Sequence, residues 1–231
     1  MTGTLDTLTT AALDLGPARR LVCRECGSTT PLAAEFACAD CFGPLEVGYD
    51  FGSVTRTDIE SGPRSIWRYR GLLPVPHDVD GYPNTQPGLT RMIRADRLAS
   101  ALGIDRLWVK DDTGNPTHSF KDRVVAVALA AARQLGFRVL ACPSTGNLAN
   151  AVAAAAARAG WESVVLIPSS LERAKVLTTA VYDGALIAVD GTYDDVNRLA
   201  TELAAEHEDW AFVNVNVRPY YAEGSKTLGY E

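Results

Sequence analysis

Apolar runs of strand length alternate with segments of helical periodicity through the second half of the chain. The apolar runs are continuous, as in strands that are buried on both faces of a parallel sheet. Between them, apolar residues recur every three or four positions, which is typical of amphipathic helices. This order predicts an α/β fold in which a parallel sheet carries helices on both faces. The predicted strands are residues 106–110, 138–142, 163–168, 185–189 and 210–214, and the predicted helices are one that begins near residue 120 and those at 148–158, 171–184 and 192–207.

One lysine stands at the junction between a loop and the first of these helices. Residues 111–118 are rich in Gly, Asn, Pro and Thr, which favour turns, and they follow the short apolar run that we expect to be a buried strand. Ser119 is a good N-cap and Asp122 approximates a capping box, so Lys121 falls in the first helical turn. Most such lysines are solvated surface groups. At the mouth of a strand–loop–helix unit, however, Lys121 is also placed to meet a ligand.

A second strand–loop–helix junction follows the strand predicted at residues 138–142. Its loop contains Ser144 and Thr145, and the start of the helix adds unpaired backbone N–H groups at the same point. Hydroxyl and N–H groups that converge in this way suit a carboxylate or another anion. The alanine-rich segment that follows is equally typical of a plain buried helix. Cys142, at the end of the strand, is interpreted as a buried apolar residue.

Four cysteines near the N-terminus form two Cys-x-x-Cys pairs, Cys23 with Cys26 and Cys38 with Cys41, separated by eleven residues. This spacing is typical of a tetrahedral structural zinc site with four thiolate ligands. Two disulfides or four unrelated thiols are the alternatives, and the disulfides are disfavoured because no secretion signal precedes them. Four thiolates leave no open coordination position, so the expected role of the zinc is in folding.

Composition and charge exclude several kinds of partner. The chain has 231 residues, of which 22% are charged and 47% apolar, and a formal net charge of −6. Residues 18–50, which contain the four cysteines, have three arginines against five acidic residues, a net charge of −2, so this segment lacks the basic footprint of nucleic-acid binding. No apolar run reaches the roughly 18 residues of a membrane span. Without a hydrophobic leader, the expected location is the cytoplasm.

Three short segments carry a resemblance to a known family. Residues 115–123, Asn-Pro-Thr-His-Ser-Phe-Lys-Asp-Arg, resemble the cofactor-lysine motif of the fold-type II pyridoxal phosphate enzymes, and most closely that of the threonine synthases. Residues 144–147, Ser-Thr-Gly-Asn, resemble the substrate loop of that family, and residues 223–227 resemble its Glu-Gly-Gln-Lys-Thr element. A subset of threonine synthases also carries a similar rubredoxin-like zinc knuckle, so the resemblance covers roughly residues 20–231.

The resemblance implies a cofactor, a reaction and a set of site residues. Pyridoxal 5′-phosphate would be bonded to Lys121, and Asn147 would hydrogen-bond its phenolic oxygen. Ser144 and Thr145, with Asn147, would hold the α-carboxylate of a small amino-acid substrate. The implied reaction converts O-phospho-L-homoserine and water to L-threonine and phosphate. A homodimer is the implied assembly.

The chain departs from the family pattern around these motifs. The family usually has Gly or a similar residue where this chain has His118, Thr where it has Leu148, and Arg where it has Tyr221. The last two family residues grip the substrate phosphate, and Arg218 is the predicted replacement. A related enzyme acting on another O-activated or hydroxy amino acid is the alternative within the class. The alternative from another class is a non-catalytic zinc-ribbon scaffold or binding fragment.

The sequence predicts four parts along the chain. The family places its glycine-rich cofactor-phosphate loop beyond the last strand predicted here, and nothing after residue 226 could supply that loop, so the chain is expected to be truncated at the C-terminus. Residues 61–70 and 74–88 are predicted to be extended, and His77 and His207 to be isolated surface residues. The parts are a polar leader at 1–20, a zinc ribbon at 21–50, a connector and start of the catalytic domain at 51–105, and an incomplete α/β pyridoxal phosphate domain at 106–231.

Overall fold

The computed structural model describes residues 13–78 and 86–231, and these form nine strands and eight α-helices. The first three strands are β1 at Ala18–Cys23, β2 at Thr29–Thr30 and β3 at Leu45–Tyr49. They form a small antiparallel sheet in the order β2-β1-β3. Cys23 ends β1, and the other three cysteines of the two pairs lie in the loops between these strands.

Part of the segment predicted to be a polar leader is structured. Residues 1–12 of the predicted leader lie outside the described residues. Residues 13–20 do not behave as a leader, because Leu15 is buried and β1 already begins at Ala18. The side chains of Leu15 and Ala18 both belong to the main hydrophobic core, and this burial explains why the chain is ordered before the first cysteine.

The connector is more structured than predicted. The prediction of an extended segment at residues 61–70 is wrong, since residues 66–72 form a 3₁₀ helix. Ile66 and Trp67 in this helix are buried against one face of a later helix, so apolar burial overrides the local Gly and Pro signals. Of the predicted stretch 74–88, residues 79–85 lie outside the described part. The other connector elements are α1 at Arg56–Glu60, β4 at Arg91–Arg94 and α2 at Asp96–Leu102.

The strand predicted at residues 106–110 is neither buried nor part of the parallel sheet. It is β5, Trp108–Asp111, and it pairs antiparallel with β4 in a separate two-stranded sheet. The side chains along β5 are exposed to half-exposed, with Trp108 at 52%. A run of three apolar residues is too short for its pattern to fix which sheet it joins or how deeply it is buried.

The main sheet has four parallel strands, β6 at Val139–Pro143, β7 at Glu162–Pro168, β8 at Ala185–Val189 and β9 at Trp210–Phe212. Their order in the sheet is β8-β7-β6-β9, which confirms the predicted α/β architecture. Each predicted strand from residue 138 onward is present, with ends that shift by at most two residues. The helices around them are α3 at Lys121–Gln134, α4 at Asn147–Ala159, α5 at Arg173–Ala180, α6 at Tyr193–Glu206, α7 at Arg218–Glu223 and α8 at Lys226–Tyr230.

Alternate residues of the central strands face opposite helical layers. Leu140 and Cys142 of β6 pack in the core that contains α3 and α4, whereas Ala141 packs with Val196 and Ala200 of α6. Helices therefore cover both faces of the sheet, as the continuous apolar strands predict. Among the described helices, none combines the length and apolar character that crossing a bilayer requires.

One helix ends earlier than predicted. The sequence predicts a helix over residues 171–184, but α5 ends at Ala180. Asp183 adopts a positive φ of 61°, which an α-helix does not accommodate. Gly184 follows, and a Cβ there would collide with the Ser163 side chain on the neighbouring strand. The close approach of β8 to β7 thus forces the chain to turn at this point.

Candidate functional site

The first turns of α3 and α4 lie at the same edge of the main sheet. Helix α3 leads into the start of β6, and α4 leaves from the end of β6. Each helix packs back along the sheet, so both begin at the carboxyl edge of the strands. Lys121 is the first residue of α3 and Asn147 the first residue of α4. The fold therefore brings the two predicted loops to one edge.

The start of α3 differs from the predicted capping box. Phe120 occupies the N-cap position and makes no side-chain cap. The Ser119 hydroxyl instead accepts a hydrogen bond from the Lys121 backbone N–H at 3.2 Å. The Asp122 carboxylate accepts bonds from the backbone N–H and the hydroxyl of Thr117, at 2.8 and 2.9 Å. The first turn is thus tied to the loop before it, and the Lys121 side chain stays free of the cap.

The ε-amine of Lys121 contacts a tyrosine from a distant part of the chain. Its Nζ donates to the hydroxyl of Tyr221 at 3.0 Å. The same Nζ lies 5.6 Å from the centre of the Tyr221 ring and 5.8 Å from the centre of the Phe120 ring. Sequence reasoning noted Tyr221 only as a departure from a motif and missed this contact. The signal available was its place two residues before the Glu-Gly pair.

The predicted anion loop lies directly before α4. Ser144 is buried, and its hydroxyl accepts from the Gly146 backbone N–H at 3.3 Å. Thr145 is half-buried and Asn147 is exposed. A Cβ on Gly146 would meet no atom within 4 Å, so the space beside the loop is open to a ligand. Arg218, the predicted replacement for the phosphate-binding arginine, is exposed at the first residue of α7, and among the described residues only Tyr221 of this helix hydrogen-bonds Lys121.

Two residues after Lys121, a buried ion cluster fixes α3. The Arg123 side chain is fully buried and forms paired hydrogen bonds with the carboxylates of Asp112, at 2.8 and 2.9 Å, and Glu231, at 2.7 and 3.0 Å. Lys110 adds an ion pair to Glu231 at 2.7 Å, and the Thr90 hydroxyl donates to Asp112 at 2.7 Å. We call these five residues the Arg123 cluster. Sequence reasoning missed it, since Arg123 and Glu231 are 108 residues apart.

The acidic groups around the site have shifted pKa values. Burial raises the pKa of Asp112, but hydrogen bonds from Arg123 and Thr90 outweigh burial, and the net pKa is lowered. Burial also opposes ionisation of Glu231, yet hydrogen bonds from Arg123 and Lys110 leave its pKa lowered as well. Both carboxylates are therefore ionised partners of the buried Arg123 guanidinium. Burial raises the pKa of Asp122, because its bonds from Thr117 do not fully offset the loss of solvent.

The segment at residues 223–227 joins α7 to α3 and to the ribbon. Glu223 is buried and accepts hydrogen bonds from the hydroxyl of Tyr49 in β3 and from the ammonium of Lys226. A Cβ on Gly224 would lie 2.5 Å from the Val124 Cα and 2.7 Å from the Arg123 carbonyl oxygen. Only glycine permits this approach of the chain to the α3 backbone.

The four ribbon thiols form a compact cluster that fits zinc. Their sulfur atoms all lie within 4.8 Å of one another, with Cys23 to Cys41 at 3.4 Å and Cys26 to Cys38 at 3.8 Å. Thiolates about 2.3 Å from a tetrahedral zinc ion are separated by about 3.8 Å, so the cluster has nearly the required size.

The surroundings of the thiols also suit a metal. Hydrogen bonds from the Ser28 hydroxyl and backbone N–H lower the pKa of Cys26 to about 6, which favours the thiolate form. All five cysteines are free thiols, so the disulfide alternative has no support among them. Cys142 is fully buried as predicted, and burial raises the pKa of its thiol well above the ordinary range.

The two histidines interpreted as isolated surface residues both have neighbours. His77 is exposed, but its Nδ1 lies 2.8 Å from a carboxylate oxygen of Asp14. The His207 ring stacks on Trp210 with the ring centres 4.3 Å apart. Neither contact involves the carboxyl edge of the sheet.

Comparison with known proteins adds a family to this geometry. A family model described as pyridoxal-phosphate dependent enzyme matches residues 84–231. A threonine synthase of Methanosarcina acetivorans is 36% identical over 217 residues, which covers 91% of this chain and 52% of that protein. A threonine synthase of Methanocaldococcus jannaschii is 34% identical over 214 residues, 90% of this chain and 52% of that protein. The chain thus spans about half the length of the curated relatives it matches.

Solved structures are similar in fold. The apo form of Escherichia coli diaminopropionate ammonia lyase aligns with a TM-score of 0.54 and 23% identity, covering 64% of this chain and 46% of that one. Threonine deaminase isoform 2 from Solanum lycopersicum aligns with a TM-score of 0.53 and 21% identity, covering 61% and 39%. At this level of identity, the likeness supports the architecture alone.

Proposed function

Since this chain belongs to the family of pyridoxal-phosphate dependent enzymes, we propose that it provides the cofactor lysine and substrate loop of a lyase that forms L-threonine. The proposed reaction converts O-phospho-L-homoserine and water to L-threonine and phosphate. Curated relatives at 34% and 36% identity bear the name threonine synthase, which supports this substrate. The observation that carries the proposal is the meeting of Lys121 and the 144–147 loop at one sheet edge.

The proposed role of Lys121 is to hold the cofactor and to move protons. Its amine lies at the carboxyl edge and is engaged by a neutral hydroxyl, so no carboxylate competes for it among the described residues. Pyridoxal phosphate, when bound, supplies an electron sink for charge that develops on the substrate. The lysine amine, once released from the cofactor, is positioned to take a proton from the substrate and return it at a neighbouring carbon.

The proposed role of the 144–147 loop is to orient the substrate. The Ser144 and Thr145 side chains and the first N–H groups of α4 suit the α-carboxylate, because a helix N-terminus favours an anion. Asn147 has an exposed amide that can donate to the cofactor's phenolic oxygen. Arg218, exposed on α7, remains the proposed partner for the substrate phosphate.

For the ribbon we propose a structural zinc bound by Cys23, Cys26, Cys38 and Cys41. The ion would stabilise the fold of the ribbon and take no part in the reaction, since four thiolates fill its coordination. Metal analysis of protein purified without chelator is expected to give about one zinc per chain. Serine substitution of Cys26 and Cys41 should remove it.

The cofactor role can be tested by trapping the lysine with borohydride in the presence of pyridoxal 5′-phosphate. We expect one modified peptide, containing Lys121, and a visible absorption band that is absent in Lys121→Ala. Lys110→Ala is not a suitable control because Lys110 belongs to the Arg123 cluster, so Lys175→Ala, on exposed α5, serves instead. Modification spread over exposed lysines, with Lys121 unmodified, would refute the role.

Substrate identity needs a direct assay of phosphate and threonine release. A second candidate, an enzyme acting on another O-activated or hydroxy amino acid, is favoured by Tyr221, because this neutral residue contacts Lys121 where a phosphate-binding arginine is expected. Parallel assays with O-phospho-L-homoserine, O-phospho-L-serine and L-serine distinguish the two candidates. Product from either serine substrate, and none from the homoserine ester, would replace the first proposal with the second. If none of the three substrates reacts and borohydride traps no cofactor on Lys121, the results would support the non-catalytic scaffold instead.

The cytoplasmic location and the homodimer stay predictions from the sequence, as do the boundaries of the four parts of the chain. We propose that a small amino acid, and neither nucleic acid nor a membrane, is the partner of the site. The net charge of −6 is consistent with this choice.

A further inference from the structure

The contact between Tyr221 and Lys121 has no role in the proposed reaction as described above. The Tyr221 hydroxyl is the one hydrogen-bond partner of the Lys121 amine among the residues that the structure describes. The amine also lies within 6 Å of the Phe120 and Tyr221 ring centres, at 5.8 and 5.6 Å, a distance at which aromatic rings attract a cation. Two rings and one hydroxyl therefore surround it.

The helix that carries Tyr221 is held on several sides. The hydroxyl of Tyr220 donates to the Ala33 carbonyl in the ribbon at 2.9 Å. Glu223, at the end of α7, accepts from Tyr49 of β3, and Gly224 lies directly against the α3 backbone. The Tyr221 ring itself packs against the main hydrophobic core. Its hydroxyl is therefore presented from a fixed support, whereas Lys121 has a flexible four-carbon stem.

A phenol suits a lysine that changes its protonation and bonding state. A hydroxyl accepts a hydrogen bond from an ammonium group and donates one to a neutral amine, so the contact persists in both forms. A carboxylate can only accept, and a guanidinium can only donate. A charged partner would favour either the ammonium or the neutral amine. The Tyr221 hydroxyl holds the lysine nitrogen in place with little preference between these two forms.

We propose that Tyr221 is a positioning residue for Lys121, which holds the ε-amine at the carboxyl edge of the sheet whenever the amine is not bonded to an aldehyde. This inference rests on the proposed cofactor role of Lys121 and deepens it. Tyr221 acts through the lysine and need not touch the substrate.

The test measures the reactivity of the Lys121 amine in the protein without cofactor. The folded chain is acetylated with a trace of acetic anhydride at fixed pH, and the labelled fraction of Lys121 is read by peptide mass spectrometry relative to Lys175. Tyr221→Phe keeps the ring and removes only the hydroxyl. We expect Lys121 to be labelled roughly two- to tenfold faster in this variant, the factor of one lost neutral hydrogen bond. An unchanged or slower rate would overturn the proposal.

Tyr220→Phe is the matched control. It also removes one hydroxyl hydrogen bond from α7, but that bond leads to the ribbon and not to the lysine. We expect the Lys121 rate in Tyr220→Phe to stay near that of the wild type. Equal acceleration in both variants would show that loosening of α7, and not the direct contact, controls the amine, and would overturn the proposal. Both variants keep their aromatic rings, and melting curves by circular dichroism verify that they are folded.

The outcome can be separated from that of the proposed function. If Tyr221→Phe leaves the labelling rate unchanged while borohydride still traps pyridoxal phosphate on Lys121, the positioning role fails and the cofactor role stands. If labelling accelerates but the cofactor is not trapped on Lys121, the contact is real and the proposed function fails.

Discussion

Lys121 and Arg123 stand two residues apart on one helix, yet their surroundings differ sharply. Arg123 is fully buried and makes paired hydrogen bonds to two carboxylates. Lys121 is only half-buried and has one hydrogen bond, to a neutral hydroxyl. The same turn of α3 thus contains a fixed cation and a cation that is lightly held. We infer that the Arg123 cluster stabilises the helix start, so that the lysine can move without the helix moving.

The largest effect is expected from Arg123→Met, which removes the cation and leaves the buried Glu231 carboxylate and the partly buried Asp112 carboxylate without it. Loss of one partner from a buried ionic network costs roughly 3–5 kcal/mol, so the variant should unfold at much lower urea concentration. Arg133→Met, in the last turn of the same helix but exposed, is the control and should change stability by less than about 0.5 kcal/mol. Similar urea midpoints for the two variants would contradict the anchoring role.

Gly224→Ala should come next, because it forces a methyl group against the α3 backbone. Overpacking of this kind costs about 1–3 kcal/mol, and here the neighbouring atoms are backbone and cannot rotate away. Gly229→Ala, in α8, is the matched control, since a Cβ there meets nothing within 4 Å. Urea unfolding of both variants checks the difference, and a Gly224→Ala protein as stable as the control would show that α7 and α3 are not in firm contact.

The Arg123 cluster should also make stability depend on pH. The pKa values of Asp112 and Glu231 are lowered in the folded protein, so their contribution is fully present above the ordinary carboxyl range, about pH 4–5. It is lost as the pH falls through the lower, folded values. Between pH 7 and pH 3, we expect the wild type to lose roughly 1–2 kcal/mol more than Arg123→Met, measured by urea titration. An equal or larger loss in the variant would mean that arginine does not keep these carboxylates ionised.

The smallest effect is expected in the loop before Lys121. His118 has a positive φ of 59°, which strains a side chain but not glycine. Relief of this strain is opposed by the lost bond between the His118 Nδ1 and the Thr113 carbonyl and by the larger entropy of glycine in the unfolded chain, so His118→Gly should raise the unfolding free energy by at most about 0.5 kcal/mol. His118→Ala keeps the strain and loses the bond, so it should lower stability. Calorimetry of both variants decides, and a destabilised glycine variant would show that the histidine contact outweighs the strain.

How much of the molecule the sequence predicts depends on the range of the interaction. Strands β6 to β9 are continuous apolar runs, so their positions follow from local pattern, and they are found where predicted. Burial follows for β6 and β7, whereas β8, at the edge of the sheet, is exposed or half-exposed along its length. Lys121 lies at the start of a helix and the 144–147 loop directly follows a strand, and both features can be recognised from local sequence. The α/β topology then brings them to the carboxyl edge of the sheet. The cysteine spacing is local as well, and the thiols meet as expected.

Contacts between distant segments could not be predicted in this way. Glu231 reaches Arg123 across 108 residues, and Tyr221 reaches Lys121 across 100. No periodicity links such positions, and from the sequence alone many other acidic or aromatic residues could equally have been the partners of Arg123 and Lys121. The exposed strand β5 shows the same limit, because its partner β4 is set by pairing outside the main sheet and not by its own apolar pattern.

Helix α7 is only six residues long, and its two consecutive tyrosines contact segments that lie far apart in the sequence. Tyr220 binds a carbonyl made early in synthesis, 187 residues upstream, while Tyr221 binds an amine from the middle of the chain. Closing such long loops is slow compared with forming local helices and turns. The hydrogen bond between Lys121 and Tyr221 should therefore form late in folding, and the lysine amine of a nascent chain would be unrestrained until then.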